Sequence, residues 1–363
     1  MITISLCMIV KNEEQTLARC LDSVLGVADE IIIVDTGSTD RTKEIAMRYT
    51  ERVYDFTWID DFSAARNEAF SRATKDYCLW LDADDVLLKE DKQQFLQLKQ
   101  MLSPEINTVM MRYHITFDAD GKPTFSYYRE RLIRNRPEFR WQGAVHEAIV
   151  YAQPVVYSDI AVTHQKVRVT NPRRNLEIYQ KLIEKGEVLQ ARQKFYYARE
   201  WFDLKEYQQA ADAFEVFLED ETGWIENRIE ACRQLAVCYR QLGQNQNGIQ
   251  ALLKTLSFDI PRAEVCCDIA QYFLEQRNYQ TAIYWYETAL KCPRKDKDGG
   301  FVNLECYGYL PLIQLCVCYD RLGAYQKAFE YNEAAGKIQP NSSQYQYNRT
   351  YFEQKHGLSL QAN

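Results

Sequence analysis

Tyr77-Cys78-Leu79-Trp80-Leu81-Asp82-Ala83-Asp84-Asp85 joins a five-residue apolar run to three carboxylates. A short continuous apolar run bounded by polar residues reads as a strand buried on both faces. Strands of that kind belong to parallel sheets covered by helices. In such sheets ligands bind beyond the carboxyl ends of the strands. Asp82 and Asp84 therefore stand where a ligand is expected, and in extended geometry they share a side.

Upstream, the same grammar repeats. Strands are expected over Ile2–Val10, Glu30–Val34 and Arg52–Asp55, with helices over Glu14–Leu25, Arg41–Tyr49 and Ser63–Thr74. Alternating strands and helices predict an α/β domain. Lys11-Asn12-Glu13 follows the first strand and Asp35-Thr36-Gly37-Ser38-Thr39-Asp40 the second. Three polar clusters should thus gather on one edge. Ser38 and Asp40 read as turn and cap residues. Asp35, at the end of an apolar strand, reads instead as an acceptor for a base N–H. Neither a dinucleotide glycine fingerprint nor a P-loop is present, which argues against a dinucleotide oxidoreductase and a P-loop NTPase. Carboxylates facing a diphosphate need a divalent cation between them, and Mg²⁺ or Mn²⁺ suits those oxygens.

From Thr108 the pattern becomes extended, with segments over Thr108–Phe117, Phe125–Ile133, Val145–Ala152 and Val155–Thr163. The loop from Asp118 to Pro123 reads as a hairpin connection. After Pro172 no strand is expected, so residues 1–170 form the α/β domain and 171–363 a helical one.

The helical half repeats itself. Tyr207, Asn245, Tyr279 and Tyr325 begin equivalent segments and stand 38, 34 and 46 residues apart, the last interval holding the insertion from Arg294 to Gly300. Each segment places a small residue three positions on: Ala210, Gly248, Ala282 and Ala328. A helix-turn-helix period near 34 is the tetratricopeptide signature. Stacked units of this kind predict an all-α solenoid with a concave surface. That surface would take a binding partner, or the array would only dimerise or pack on the first domain.

Composition narrows the classes. The 363 residues carry 44 basic and 51 acidic side chains, net −7, which argues against a nucleic-acid partner. No apolar run reaches the length of a membrane span. Met1–Val10 lacks a basic lead-in and reads as a strand rather than a signal peptide. Eleven cysteines without zinc spacing read as core residues of a reduced, cytoplasmic protein.

Ser5–Glu14, Ile31–Asp40, Ser63-Ala64-Ala65-Arg66-Asn67 and Leu79–Asp85, in this order, resemble family-2 nucleotide-sugar glycosyltransferases of the GT-A fold. With repeats behind it, the chain resembles the repeat-bearing branch, which includes S-glycosyltransferases that modify bacteriocin peptides. The resemblance implies that Val10, Asn12, Glu13 and Asp35 line the base and ribose pocket. It implies Arg66 and Asn67 near the nucleotide, Asp82 toward the ribose, and Asp84 as main metal ligand. One departure is Thr36, where the family commonly has a second Asp.

Arg140–Glu147 gathers Trp141, Gly143, His146 and Glu147 in eight residues. In the family the acceptor base closes a short acidic triplet, which Val145-His146-Glu147 resembles with a substituted ending. Glu147 is the expected base, since a carboxylate must deprotonate the acceptor as it attacks the anomeric carbon. Trp141 and His146 are candidates for the acceptor or diphosphate vicinity. His164 follows a strand and matches the family's closing metal ligand. Arg131, Arg134, Lys166 and Arg168 are weaker candidates for neutralising diphosphate. The expected activity is inverting, metal-dependent transfer from a nucleoside diphosphate sugar, with UDP as carrier, to a peptide or protein. Two alternatives stay open: synthesis of a surface polysaccharide or glycolipid with the repeats dimerising, and an adaptor that has lost catalysis.

Overall fold

The computed structural model describes residues 1–118, 120–150, 153–167 and 171–359. Two compact units divide it, Met1–Ile115 with Tyr127–Glu200, and Thr116–Ser126 with the chain from Trp201 onward. The expected boundary at 170 thus falls inside the first unit. The helix after it carries Ile178 and Tyr179, which are buried in contact with Val145 and its neighbours.

The strands are β1 (Ile4–Val10), β2 (Glu30–Asp35), β3 (Val53–Asp55), β4 (Tyr77–Trp80), β5 (Asp85–Val86), β6 (Thr108–Phe117), β7 (Pro123–Arg134), β8 (Trp141–Gln142), β9 (Ala148–Ile149) and β10 (Val155–His164). The helices of the first unit are α1 (Leu17–Val24), α2 (Thr42–Ala46), α3 (Phe62–Ser71), α4 (Lys89–Met101), α5 (Arg174–Glu184) and α6 (Ala191–Asp203), whose last turn lies in the second. One sheet runs in the order β3-β2-β1-β4-β7-β6-β10-β5, with β8 and β9 as a separate pair. β3, β2, β1 and β4 are parallel, and β7 returns antiparallel to β4. The sheet is therefore mixed.

Period-two alternation sorts β1 between two cores. Ile4, Leu6, Met8 and Val10 face a cluster with Leu17 and Leu21 of α1 and Phe95 of α4. Cys7 faces the other cluster, with Ala69 and Phe70 of α3 and Trp80 and Trp141. Val10 pairs with Asp35, and Cys7 with Trp80. That register brings the polar residues after β1, β2 and β4 to one edge.

The second unit holds α7 (Tyr207–Leu218), α8 (Ile225–Gln241), α9 (Asn245–Lys254), α10 (Ala263–Glu275), α11 (Tyr279–Ala289), α12 (Tyr309–Arg321), α13 (Tyr325–Ile338) and α14 (Ser343–His356). Consecutive helices pack on one another, most closely within α8/α9, α10/α11 and α12/α13. The turns before α7, α9, α11 and α13 are built alike. Lys205, Gly243, Arg277 and Gly323 all take φ between 58° and 77°. In each, the next residue's N–H donates to a carbonyl five residues back: Glu206 to Trp201, Gln244 to Tyr239, Asn278 to Phe273, Ala324 to Tyr319. This is the Schellman closure of a helix end. Ala210, Ala282 and Ala328 are fully buried, and a Cβ on Gly248 would come within 3.2 Å of the Ala236 carbonyl oxygen. Helical repeats of the tetratricopeptide type account for this half. All eleven cysteines are free thiols, ten of them buried.

Candidate functional site

A cleft of about 580 Å³ opens at the polar edge of the sheet. That volume suits a ligand of nucleotide size. Val10, Asn12, Glu13 and Thr36 line one side. Asn12 has φ +57°, and its side-chain oxygen accepts from the Thr39 N–H at 2.7 Å while its own N–H donates to Ser38 Oγ at 2.9 Å. The loops after β1 and β2 are thereby tied together. Asp35 is 1% exposed and lies off the cleft wall. Its Oδ1 accepts from the N–H groups of Gly37 and Ser38, both at 2.9 Å, so Asp35 shapes the turn that the sequence assigned only to Ser38 and Asp40. Its Oδ2 is buried and makes no hydrogen bond among the described residues.

On the opposite side, β5 pairs antiparallel with the end of β10, placing His164 against Asp85. Nδ1 of His164 lies 3.4 Å from Asp84 Oδ1 and 3.4 Å from Asp85 Oδ1. Asp85 is fully buried and pairs with Arg131, also fully buried, at 3.0 Å. The Tyr113 hydroxyl donates to Asp85 Oδ1 at 3.0 Å. The Arg131 cation lies over Trp80 and Tyr113, at 3.9 and 4.4 Å from the ring centroids. It serves the buried pair, which corrects its expected diphosphate role. Arg134 pairs with Tyr77, at the amino end of β4, and so lies away from the cleft. Arg168 lies outside the described residues, whereas Lys166 lines the cleft.

Asp84, Asp85 and His164 offer ligand atoms within 4.8 Å of one another. Burial pushes the Asp84 carboxyl above its usual range, with Asp82 and Asp85 adding to it against the pull of His164. Such a shortage of positive charge fits a divalent cation. Asp84 and His164 face the cleft, while Asp85 is committed to Arg131 and Tyr113. Among the described residues this is the one cluster with metal-ligand spacing.

Between the two sides stands Arg66 of α3, 8% exposed. Its Nε donates to Glu147 Oε1 at 2.5 Å and a terminal nitrogen to Asp82 Oδ1 at 2.8 Å. Burial works against this guanidinium's charge, and Asp82 and Glu147 more than restore it. Burial likewise resists ionisation of Asp82, but Arg66 and Arg131 hold it down at about 2. Oε2 of Glu147 makes no hydrogen bond among the described residues, and Glu147 lines the cleft.

Two further expectations are corrected. Trp141 is 2% exposed and packs edge-on against Trp80 and Phe70, so it is core rather than part of the acceptor or diphosphate vicinity. Asn67 gives both ends of its amide to the Trp141 backbone, at 2.9 and 3.0 Å, and holds that strand rather than lining the cleft. His146 does line the cleft. Sequence reasoning missed Tyr113, Arg129 and, from α5, Arg174 and Asn175 on the cleft wall. Arg174 lies over the Phe62 ring at 4.7 Å, and burial lowers its pKa. A basic residue opening a helix just past the α/β pattern was the available signal.

Residues 5–151 match the family model described as Glycosyl transferase family 2. A TPR repeat-containing protein of Synechococcus elongatus is 41% identical over 151 residues, 41% of this chain and 36% of its own length. The SPbeta prophage-derived glycosyltransferase SunS of Bacillus subtilis is 32% identical over 149 residues, 40% of this chain and 34% of its own. The matched stretch thus spans about a third of the length of these curated relatives. Among solved structures, YrrB, described as a TPR protein with an unusual peptide-binding site, covers 49% of this chain and 84% of its own at 15% identity and a TM-score of 0.38. At that score the helical half is read from its own repeated turns and packed pairs. Residues 5–151 are thus similar to glycosyl transferase family 2, and helical repeats of the tetratricopeptide type follow them.

Proposed function

We propose that this chain transfers a sugar from a nucleoside diphosphate donor, with UDP as carrier, to a peptide or protein, inverting the anomeric centre. One observation carries the reading: the Arg66 guanidinium holds Glu147 on one nitrogen and Asp82 on another. A carboxylate that faces the cleft is thereby fixed relative to the acidic edge expected to hold the donor.

The chemistry follows from these positions. Val10, Asn12 and Glu13 flank the base and ribose, and Asp35, buried next to the cleft-lining Thr36, is the acceptor for a base N–H that reaches past the wall to its Oδ2. Asp82 meets the ribose. Asp84 and His164 would hold Mn²⁺ or Mg²⁺, which when bound supplies Lewis-acid stabilisation of the leaving diphosphate. Lys166 adds positive charge at the same cleft. Oε2 of Glu147 takes the proton from the acceptor. The acceptor's electron pair forms the new bond to the anomeric carbon, and the bond to the diphosphate oxygen breaks on the opposite face. Arg66 keeps the base oriented throughout, a role of geometry.

The repeats take the acceptor in this reading. Stacked helical repeats build extended concave surfaces of the kind that suit an extended chain, which supports it.

The test uses the full chain with Mn²⁺ and UDP-glucose, UDP-galactose, UDP-N-acetylglucosamine and GDP-mannose, reading nucleotide release with and without candidate peptides. A UDP-sugar should be turned over. Glu147→Gln should lower that rate by about 10²–10⁴-fold, the range of a positioned general base, with UDP affinity unchanged. No turnover of any donor overturns the reading, and a wild-type rate in Glu147→Gln overturns its base.

A further inference from the structure

The turn that carries Glu147 is held from the two helices that follow the matched domain. His146 has φ +51°. A left-handed backbone costs a non-glycine residue about 1–2 kcal/mol, so something must hold it there. Three residues of α6 do. Nε2 of His146 meets Oε1 of Glu200 at 2.5 Å, and Glu200 is itself buried. The imidazole stacks on Tyr196 with centroids 4.1 Å apart and planes 13° from parallel. Arg192 donates two guanidinium nitrogens to the His146 carbonyl, at 3.3 and 3.2 Å. From α5, Asn175 donates to the same Glu200 oxygen at 3.0 Å, and the Tyr179 hydroxyl donates to the Val145 carbonyl at 3.4 Å.

We propose that Glu200 is a positioning residue of the reaction: through His146 it fixes the turn that aims Glu147 at the acceptor. The inference rests on Glu147 being the base. Arg66 fixes where one carboxylate oxygen lies, but the direction of the side chain starts at the backbone. Were residue 146 to relax to the right-handed or extended region, φ would turn by about 100° or more, carrying the 147 Cα–Cβ bond with it. Glu200 opposes that relaxation by holding the ring, and Tyr196 by holding its face. The catalytic unit therefore runs through α6, about 50 residues beyond the matched domain.

The experiment uses full-length variants and the UDP-sugar that the wild type turns over fastest. Glu200→Ala should lower kcat by about 10²-fold, the scale of an ångström-sized misplacement, with donor KM and UDP affinity unchanged. Glu200→Gln keeps an acceptor oxygen for the imidazole and should retain most of the rate. In a double-mutant cycle, Glu200→Ala should add nothing to Glu147→Gln, because the placement of an absent base has no consequence. Tyr196→Leu removes the stacking on His146 and, with it, the ring under the Arg192 cation, while leaving Glu200 in place; it carries the same expectation and serves if Glu200→Ala does not fold. Additive losses in the cycle, or wild-type rates in these variants with a slow Glu147→Gln, overturn this proposal and leave the base assignment standing. A wild-type rate in Glu147→Gln overturns both.

Discussion

Asp85 and Arg131 form an ion pair at 3.0 Å in which neither side chain reaches solvent. Removing one partner of a buried pair leaves an uncompensated charge, at about 3–5 kcal/mol. Arg131→Leu should therefore lower unfolding stability by that amount in urea titration. The Asp85→Asn/Arg131→Leu double variant should lose less than the two singles together, and strict additivity would show that the pair is not coupled.

Arg66 bridges two carboxylates with different nitrogens. Lysine keeps the charge but gathers its three N–H donors on a single nitrogen and cannot span both. Arg66→Lys should cut donor turnover by about 10²-fold at saturating donor. Folding, followed by circular dichroism, should persist. A rate equal to wild type would mean the bridge does not orient the base.

Asp35 turns one oxygen to the loop and leaves the other buried, with no hydrogen bond among the described residues. Asp35→Asn can keep the first role while placing a donor where an acceptor stood. UDP affinity by calorimetry should weaken by about 1.5–3 kcal/mol, the worth of a hydrogen bond to a charged group. GDP affinity should change little. Equal losses for both nucleotides would exclude base reading by this carboxylate.

Asp84 and His164 face the cleft with charge to spare. Titration of Mn²⁺ into the protein with UDP present should give saturable binding that Asp84→Asn weakens. Chelation should abolish donor turnover. Undiminished turnover in excess chelator would rule out the metal.

Arg277 stands in the left-handed turn position that Gly243 and Gly323 fill elsewhere. Arg277→Gly removes a conformational cost of about 1–2 kcal/mol and adds about 0.5–1 kcal/mol of chain entropy in the unfolded state. A net gain of roughly 0.5–1 kcal/mol should follow, read as a higher melting temperature. A loss would mean that the arginine side chain contributes more than its backbone costs.

The parts legible in the sequence were those written locally. The apolar runs of β1, β2 and β4 end in polar residues, and the four repeat turns recur in step. α4 went unread because its thirteen residues bury only Phe95 and Lys99, too few to set a period. Lys99 is buried because its ammonium donates to the Val27 carbonyl at 2.9 Å and to Asp29 at 2.8 Å, partners some seventy residues away. The pairing of Asp85 with His164 depends on a two-residue strand and spans 79 positions, so no local pattern announces it. Trp141 and Asn67 were misread for a related reason. An indole or an amide looks the same in the sequence whether it faces a ligand or a strand.

The shared geometry of the four turns bears on how such a chain can change its length. Gln244 and Asn278 occupy the same place in consecutive turns, with matching backbone before and after. A cut at one joined to the other would remove one helix pair and restore an unaltered turn. In an array whose units contact only their neighbours, the join disturbs one interface. The insertion from Arg294 to Gly300, which falls between pairs rather than inside one, shows the same tolerance from the opposite direction. Recombination can thus lengthen or shorten this half by whole units while the sheet edge that holds the carboxylates keeps its sequence.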